Sequence, residues 1–206
     1  MPTLAPSKIV CVGRNYAAHA RELGNEVPKQ PLLFLKPPSS LIPDGASIRL
    51  PAVSNRVEFE GEIGVVVGER LHKVSPDVAR RAIVHLCAVN DVTARDLQKS
   101  DVQFTRAKGF DTFCPVGELG PVPDDLASLS IRTLVNGKIR QDGRAADMVF
   151  DIPALVAYIS GIMTLEPGDL VLTGTPEGVG TLAPGDVVEV EIAGVSRVSN
   201  PVSSDH

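Results

Sequence analysis

The 206-residue chain carries 20 Lys and Arg against 25 Asp and Glu, a formal net charge of −5, and its basic residues fall in ones and twos, so no stripe neutralises nucleic-acid phosphates. A hydrophobic content of 43% supplies a substantial core, and no apolar run is long enough to cross a bilayer. Cys11, Cys87 and Cys114 are odd in number and far apart, without CxxC or Cys/His spacing, which argues against a disulfide framework or thiolate metal site and fits a reducing cytoplasm.

The opening MPTLAPSKIVCVGRNYAAHAREL has no basic region followed by an apolar stretch and cleavage site, so the chain reads as unexported and cytoplasmic. In order along the chain, KIVCVG, PLLFLKP, EIGVVVG, IRTLVNG, DLVLTG and DVVEVEIAG are short Val/Ile/Leu runs bounded by Gly, Pro, Asn or Asp, the pattern of strands joined by many turns. Helical spacing is rarer: NYAAHARELG, SPDVARRAIVHLCAV over 75–89, TARDLQKS over 93–100 and DIPALVAYISGI over 151–162. In the second, Ser75 precedes Pro76, and apolar residues at 79, 82, 83 and 86 mark one face. With no repeat, linker or composition shift, the expectation is one strand-rich α+β domain of mixed or antiparallel strands over residues 1–206.

His19 and Glu22 stand three residues apart on the first helical pattern, so the carboxylate can orient the imidazole as a general base requires; an ordinary surface pair has the same spacing. Flanking glycines and Pro28 suggest a short lid. In NRVEFEGEIGVVVG, residues 55–68, Glu58, Glu60 and Glu62 alternate along a strand and share a face. Such alternation also describes a solvated strand face, as with Glu189 and Glu191 in VVEVEIAG. The first stretch differs because it continues through Gly64 and Val66 on one face and Ile63, Val65 and Val67 on the other. Carboxylates entering a segment buried on both sides must be paired, protonated or bound to a cation.

Asp91, in AVNDVTARDLQ, suits a turn or helix cap as well as a third ligand. Joined to Glu60 and Glu62 it completes an all-oxygen set for a hard divalent ion, Mg²⁺ or Mn²⁺, with Ca²⁺ as the alternative. Lys108, amid Ala, Gly and Phe in FTRAKGFDTFCPVG, either snorkels to solvent or sits inside beside carboxylates. DLVLTGTPEGVG ends in a Gly/Thr turn whose N–H groups and Thr175 hydroxyl can hold an anionic group.

Taken in this order, VGRNYAAHARELG, PLLFLKPPSSLI, VEFEGEIGVVVG, NDVTARDLQ, RAKGFDTFCPVG and LTGTPEGVG resemble the fumarylacetoacetate hydrolase family, most closely its short acylpyruvase-type members. The resemblance implies a mixed β-sandwich roll with peripheral helices, usually a homodimer. It places metal ligands at Glu60, Glu62 and Asp91, the catalytic pair at His19 and Glu22, the active-site lysine at Lys108, and substrate contacts at Gln98 and Thr175. Glu58 receives no role. Residues 1–14 hold no acidic residue, so the implied site has three carboxylates.

The activity implied is divalent-metal-dependent C–C hydrolysis of acylpyruvates through a chelated pyruvate enolate, on a small-molecule 2-oxo acid substrate, with Glu22 orienting His19 to activate water. Alternatives among similar proteins are decarboxylation or tautomerisation of oxaloacetate, and isomerisation of hydroxymuconate-type diacids. A second substrate carboxylate needs a basic contact, for which Arg14, Lys36 and Arg106 are candidates. A separate class, a non-catalytic β-rich protein binding Ca²⁺ structurally, accounts for the carboxylates and leaves His19, Glu22 and Lys108 as coincidences.

Overall fold

The computed structural model describes residues 4–204. Its first half contains β1 (Ile9–Gly13), α1 (Ala17–Glu22), β2 (Leu32–Lys36), β3 (Leu41–Ile42), β4 (Ile48–Leu50), β5 (Val57–Phe59), β6 (Gly61–Val67), α2 (Pro76–Ala82), β7 (Ile83–Asn90), β8 (Thr93–Ala94), α3 (Arg95–Ser100) and α4 (Thr105–Lys108). There follow β9 (Cys114–Pro115), β10 (Ser130–Val135), β11 (Lys138–Arg144), α5 (Ile152–Ile162), β12 (Leu170–Leu172), β13 (Gly180–Thr181), β14 (Val187–Ile192) and β15 (Ser196–Ser204). This is the strand-rich α+β architecture expected, and every strand read from an apolar run is present.

One five-stranded sheet runs β2-β1-β12-β6-β7, parallel only between β1 and β12; a second runs β11-β10-β14-β15-β4, parallel only between β15 and β4. The largest core cluster lies between them. Val10 and Val12 of β1, Ile63, Val65 and Val67 of β6, and Val171 of β12 meet Ile131, Val190, Ile192 and Val198 of the second sheet. Along α5, Ile152, Leu155, Val156 and Ile159 enter the same cluster, a one-faced stripe at helical spacing. Asp151 caps α5 by accepting the Ala154 N–H at 2.8 Å.

The opposite face of the first sheet is also covered, with Ile9, Cys11, Val66, Cys87, Leu170 and Leu172 in a second cluster. Strand β6 is therefore buried on both faces, as its sequence predicts. The sequence-distant cysteines meet here, all free and buried. Burial pushes each thiol up, Cys114 to about 12.

Two elements differ from expectation. Residues 75–89 form a helix only as far as Ala82; from Ile83 the chain pairs antiparallel with β6. Ser75 and Pro76 start the helix as anticipated, but the β-branched, apolar continuation completes a ladder, and the spacing at 79, 82, 83 and 86 spans the junction. The glutamate segment is likewise not one strand. It divides at Glu60, so β5 joins the small sheet β13-β5-β8 while β6 joins the large one. The site lies at that division.

Candidate active site

Glu60 occupies the break between β5 and β6, where its N–H donates to Asn90 Oδ1 at 3.0 Å and its carbonyl accepts the Asp91 N–H at 2.8 Å. These bonds bring the end of β7 against the glutamate segment. Gly61 follows because nothing larger fits: a Cβ there would stand 2.0 Å from Thr133 Oγ1. One carboxylate oxygen each from Glu60, Glu62 and Asp91 lies within 4.8 Å of the others, and all three residues are buried. Asp91 is no helix cap, since α3 begins after Ala94.

The charges around this triad form an alternating chain from the surface inward. Arg56 donates to Glu58, Arg95 to both Glu58 and Glu60, Lys108 to Glu60 and Asp91 at 2.7 Å each, and Lys36 to Asp91 at 2.6 Å. Although burial raises the Glu60 pKa, Lys108 and Arg95 outweigh it and hold the carboxyl below its usual range. Glu62 differs. It accepts the Gly174 N–H at 2.6 Å and makes no ion pair among the described residues. Burial, then Asp91 and Glu60, push its pKa well above the ordinary value. A buried carboxyl without a direct ion pair, beside two others with all-oxygen donors, fits a hard divalent cation.

A cavity of about 430 Å³ opens over the triad, lined by Arg14, His19, Glu22, Phe34, Arg56, Gln98, Lys99, Phe104 and Thr175 among others. Helix α1 forms one wall. Its start is fixed by buried Asn15, whose amide donates to the Phe150 and Thr173 carbonyls at 3.0 and 2.8 Å. His19 Nδ1 lies 3.2 Å from Glu22 Oε2, and Glu22 also accepts the Gly178 N–H at 3.0 Å. Because a carboxylate only accepts, neutral His19 carries its proton on Nδ1 and leaves Nε2 with its lone pair free. Phe34 and Phe104 pack edge to face at 5.6 Å, with Lys108 Nζ 5.0 Å from the Phe34 ring centroid.

The family model described as fumarylacetoacetate hydrolase C-terminal matches residues 8–203. The chain belongs to the fumarylacetoacetate hydrolase family. Among similar proteins, the mitochondrial oxaloacetate tautomerase of Arabidopsis thaliana is 44% identical over 198 residues, covering 93% of this chain and 89% of that one. The mitochondrial oxaloacetate decarboxylase of Dictyostelium discoideum is 43% identical over 195 residues, covering 91% and 89%. The crystal structure of 5-carboxymethyl-2-hydroxymuconate delta-isomerase from Mycobacterium smegmatis superposes with a TM-score of 0.91 at 45% identity, covering 100% of this chain and 81% of that one.

In this member of the fumarylacetoacetate hydrolase family the fold gathers Glu60, Glu62, Asp91, His19, Glu22, Lys108, Gln98, Thr175 and Arg14 around one cavity. Two further candidates stand elsewhere. Lys36 is fully enclosed and bonded to Asp91 and the Val92 carbonyl; Arg106 pairs with Asp101 on the surface. Neither lines the cavity; Arg14, Arg56 and Lys99 do. The anionic group held by the Gly/Thr turn is Glu62 itself, through Gly174. The Thr175 hydroxyl donates to the Gly61 carbonyl and accepts from Gln141, clamping β6 to the turn. Arg95, Asn90 and Gln141 also organise the site; Asn90 and Arg95 lie inside the NDVTARDLQ motif, in which the resemblance assigns roles only to Asp91 and Gln98, and Gln141 lies in KIRQDGR, whose polar residues resemble a solvated surface.

Proposed function

We propose that the protein is a divalent-cation-dependent enzyme that enolises 2-oxo acids, with oxaloacetate tautomerisation and decarboxylation as its first reaction class. The observation that carries this reading is the pairing, across one cavity, of a cation-seeking carboxylate triad with the His19–Glu22 dyad. Glu60, Glu62 and Asp91 would hold Mg²⁺ or Mn²⁺, with Ca²⁺ as the alternative, and the cation supplies Lewis acidity toward the adjacent carboxylate and ketone oxygens of a 2-oxo acid. In tautomerisation His19 Nε2 takes the proton from C3 and the 2-oxo oxygen gains one as the enol forms; in decarboxylation the C3–C4 bond breaks, CO₂ leaves, and protonated His19 gives C3 a proton that the ring regains from solvent; Glu22 orients the ring and stabilises its charged form. Lys108 keeps its proton, because Asp91 and Glu60 more than offset its burial, and contributes fixed positive charge toward the developing oxyanion. Arg14, at the cavity wall, receives the second carboxylate.

Acylpyruvate hydrolysis is the second reading, favoured by the same dyad, which can take a proton from an attacking water where decarboxylation needs none. Under either reading residues 1–206 act as one catalytic domain in the cytoplasm, and the resemblance adds a homodimer, measurable by sedimentation. The test is an assay of oxaloacetate, acetylpyruvate and hydroxymuconate-type diacids with Mg²⁺ and Mn²⁺, beside Glu60→Ala and His19→Ala variants. Expected are cation-dependent oxaloacetate turnover and its loss in both variants, with cation binding retained in His19→Ala. Wild-type turnover by His19→Ala would refute the base assignment, and turnover of acetylpyruvate alone would select the second reading.

A further inference from the structure

The family resemblance leaves Glu58 without a role, yet it is buried and both its carboxylate oxygens are engaged: Oε1 accepts from Arg56 Nε at 2.6 Å and Oε2 from Arg95 Nε at 2.7 Å. The remaining Arg95 nitrogens go one each to other groups, Nη2 to Glu60 and Nη1 to Gln98 Oε1, the latter at 2.6 Å. With all three nitrogens committed, the guanidinium plane cannot turn. An arginine donates and never accepts, so Gln98 must direct its carbonyl oxygen at Arg95. Its Nε2, for which no partner exists among the described residues, is then the amide's free end at the cavity that Gln98 lines.

We infer that Glu58 is a positioning residue: by holding Arg95 through Nε it fixes the Gln98 amide as a hydrogen-bond donor, so the substrate group met there is an acceptor, a carbonyl or carboxylate oxygen. Without Glu58, both terminal nitrogens of Arg95 are free to turn onto Glu60 in the bidentate arrangement that arginine and carboxylate favour. Gln98 then loses the bond that sets its polarity. The inference deepens the proposed function, on which its kinetic readout rests, but its structural readout does not.

The structural readout is the side-chain amide NMR signal of Gln98, assigned by its absence in Gln98→Ala. Expected is a dispersed pair in the wild type that moves to the position of a free glutamine amide in Glu58→Ala; an unmoved pair overturns the inference whatever reaction the enzyme performs. Kinetically, losing one such hydrogen bond should lower kcat/KM for oxaloacetate about tenfold in Glu58→Ala and in Gln98→Glu, which keeps the Arg95 bond but removes the donor. Adding Glu58→Ala to Gln98→Ala should cost little more. Losses that multiply mean that Glu58 acts independently of Gln98, which also overturns the inference. If Glu58→Ala does not fold, Glu58→Gln keeps the volume and one acceptor, and its smaller loss must likewise vanish in the Gln98→Ala background. No turnover by the wild type would refute the proposed function while leaving the NMR result decisive.

Discussion

Lys108 competes for the oxygens that would ligate a cation. It donates to Glu60 and Asp91 from a fully enclosed position, and although burial pulls its pKa down, Asp91 and Glu60 outweigh that and hold it above the lysine range. Replacing it by methionine keeps most of the apolar stem and removes the charge. Freed of a cation at hydrogen-bond distance, the triad should bind Mg²⁺ or Mn²⁺ about tenfold more tightly, since one unit charge a few ångströms away contributes more than 1 kcal/mol even at intermediate dielectric. Turnover should nonetheless fall by about two orders of magnitude or more if, as proposed, that fixed charge stabilises the developing oxyanion. Calorimetry and steady-state assays on Lys108→Met decide this, and weaker cation binding would refute the competition. At this scale much of the site was legible: carboxylates inside an apolar strand are conspicuous because they conflict with their surroundings. Arg95 and the true partner of Lys36 were not, because long cationic side chains read as solvated until strands distant in sequence enclose them.

Strand β6 connects the triad to the second sheet through Gly61, which lies between two of the proposed ligands. A methyl group there would meet Thr133 Oγ1 at 2.0 Å and Gln141 Oε1 at 3.2 Å, and Gln141 also accepts the Gly61 N–H at 3.0 Å. Gly61→Ala must therefore push β6 away from β10, at a cost of about 1–3 kcal/mol for overpacking, and displace Glu60 relative to Glu62. Denaturant unfolding should show lower stability and calorimetry a weaker cation site; Thr133→Ala in the same chain should restore part of both. Failure of that rescue would mean that the contact is not the cause. The glycine itself is visible in sequence, but its necessity is not, because Thr133 is 72 positions away. For the same reason residues 83–89 read as helix. Their local spacing is ambiguous, and pairing with β6, a tertiary interaction, chose the strand.

Across the whole molecule the fold assembles three buried carboxyls whose mutual repulsion opposes its own stability and which a bound cation would relieve. Two five-stranded sheets and the small sheet carrying β5 fix Glu60, Glu62 and Asp91 together, and of these Glu62 alone makes no ion pair among the described residues, while burial, Asp91 and Glu60 outweigh the more distant Lys108. A carboxyl whose folded-state pKa is raised binds its proton more tightly in the native protein than in the unfolded chain. Its contribution is therefore fully present below the ordinary glutamate value of 4.5 and is lost as pH rises from there through the raised value. Without divalent cations, the wild type should lose stability over that interval relative to Glu62→Gln, whose neutral amide does not titrate. By pH 7 to 8 the variant should be the more stable by about 1–3 kcal/mol, since each pH unit between the unfolded and folded pKa values costs the wild type up to about 1.4 kcal/mol. Adding Mg²⁺ should reverse the order, since a ligand bound only by the native state stabilises it in proportion to RT ln(1 + [L]/Kd), and Glu62→Gln should gain little. Urea unfolding from pH 4.5 to 8, in chelator and in Mg²⁺, measures both effects. A wild type that stays the more stable in chelator across the whole interval would mean that Lys108 and its neighbours already compensate Glu62, and the case for a cation at the triad would fall with it.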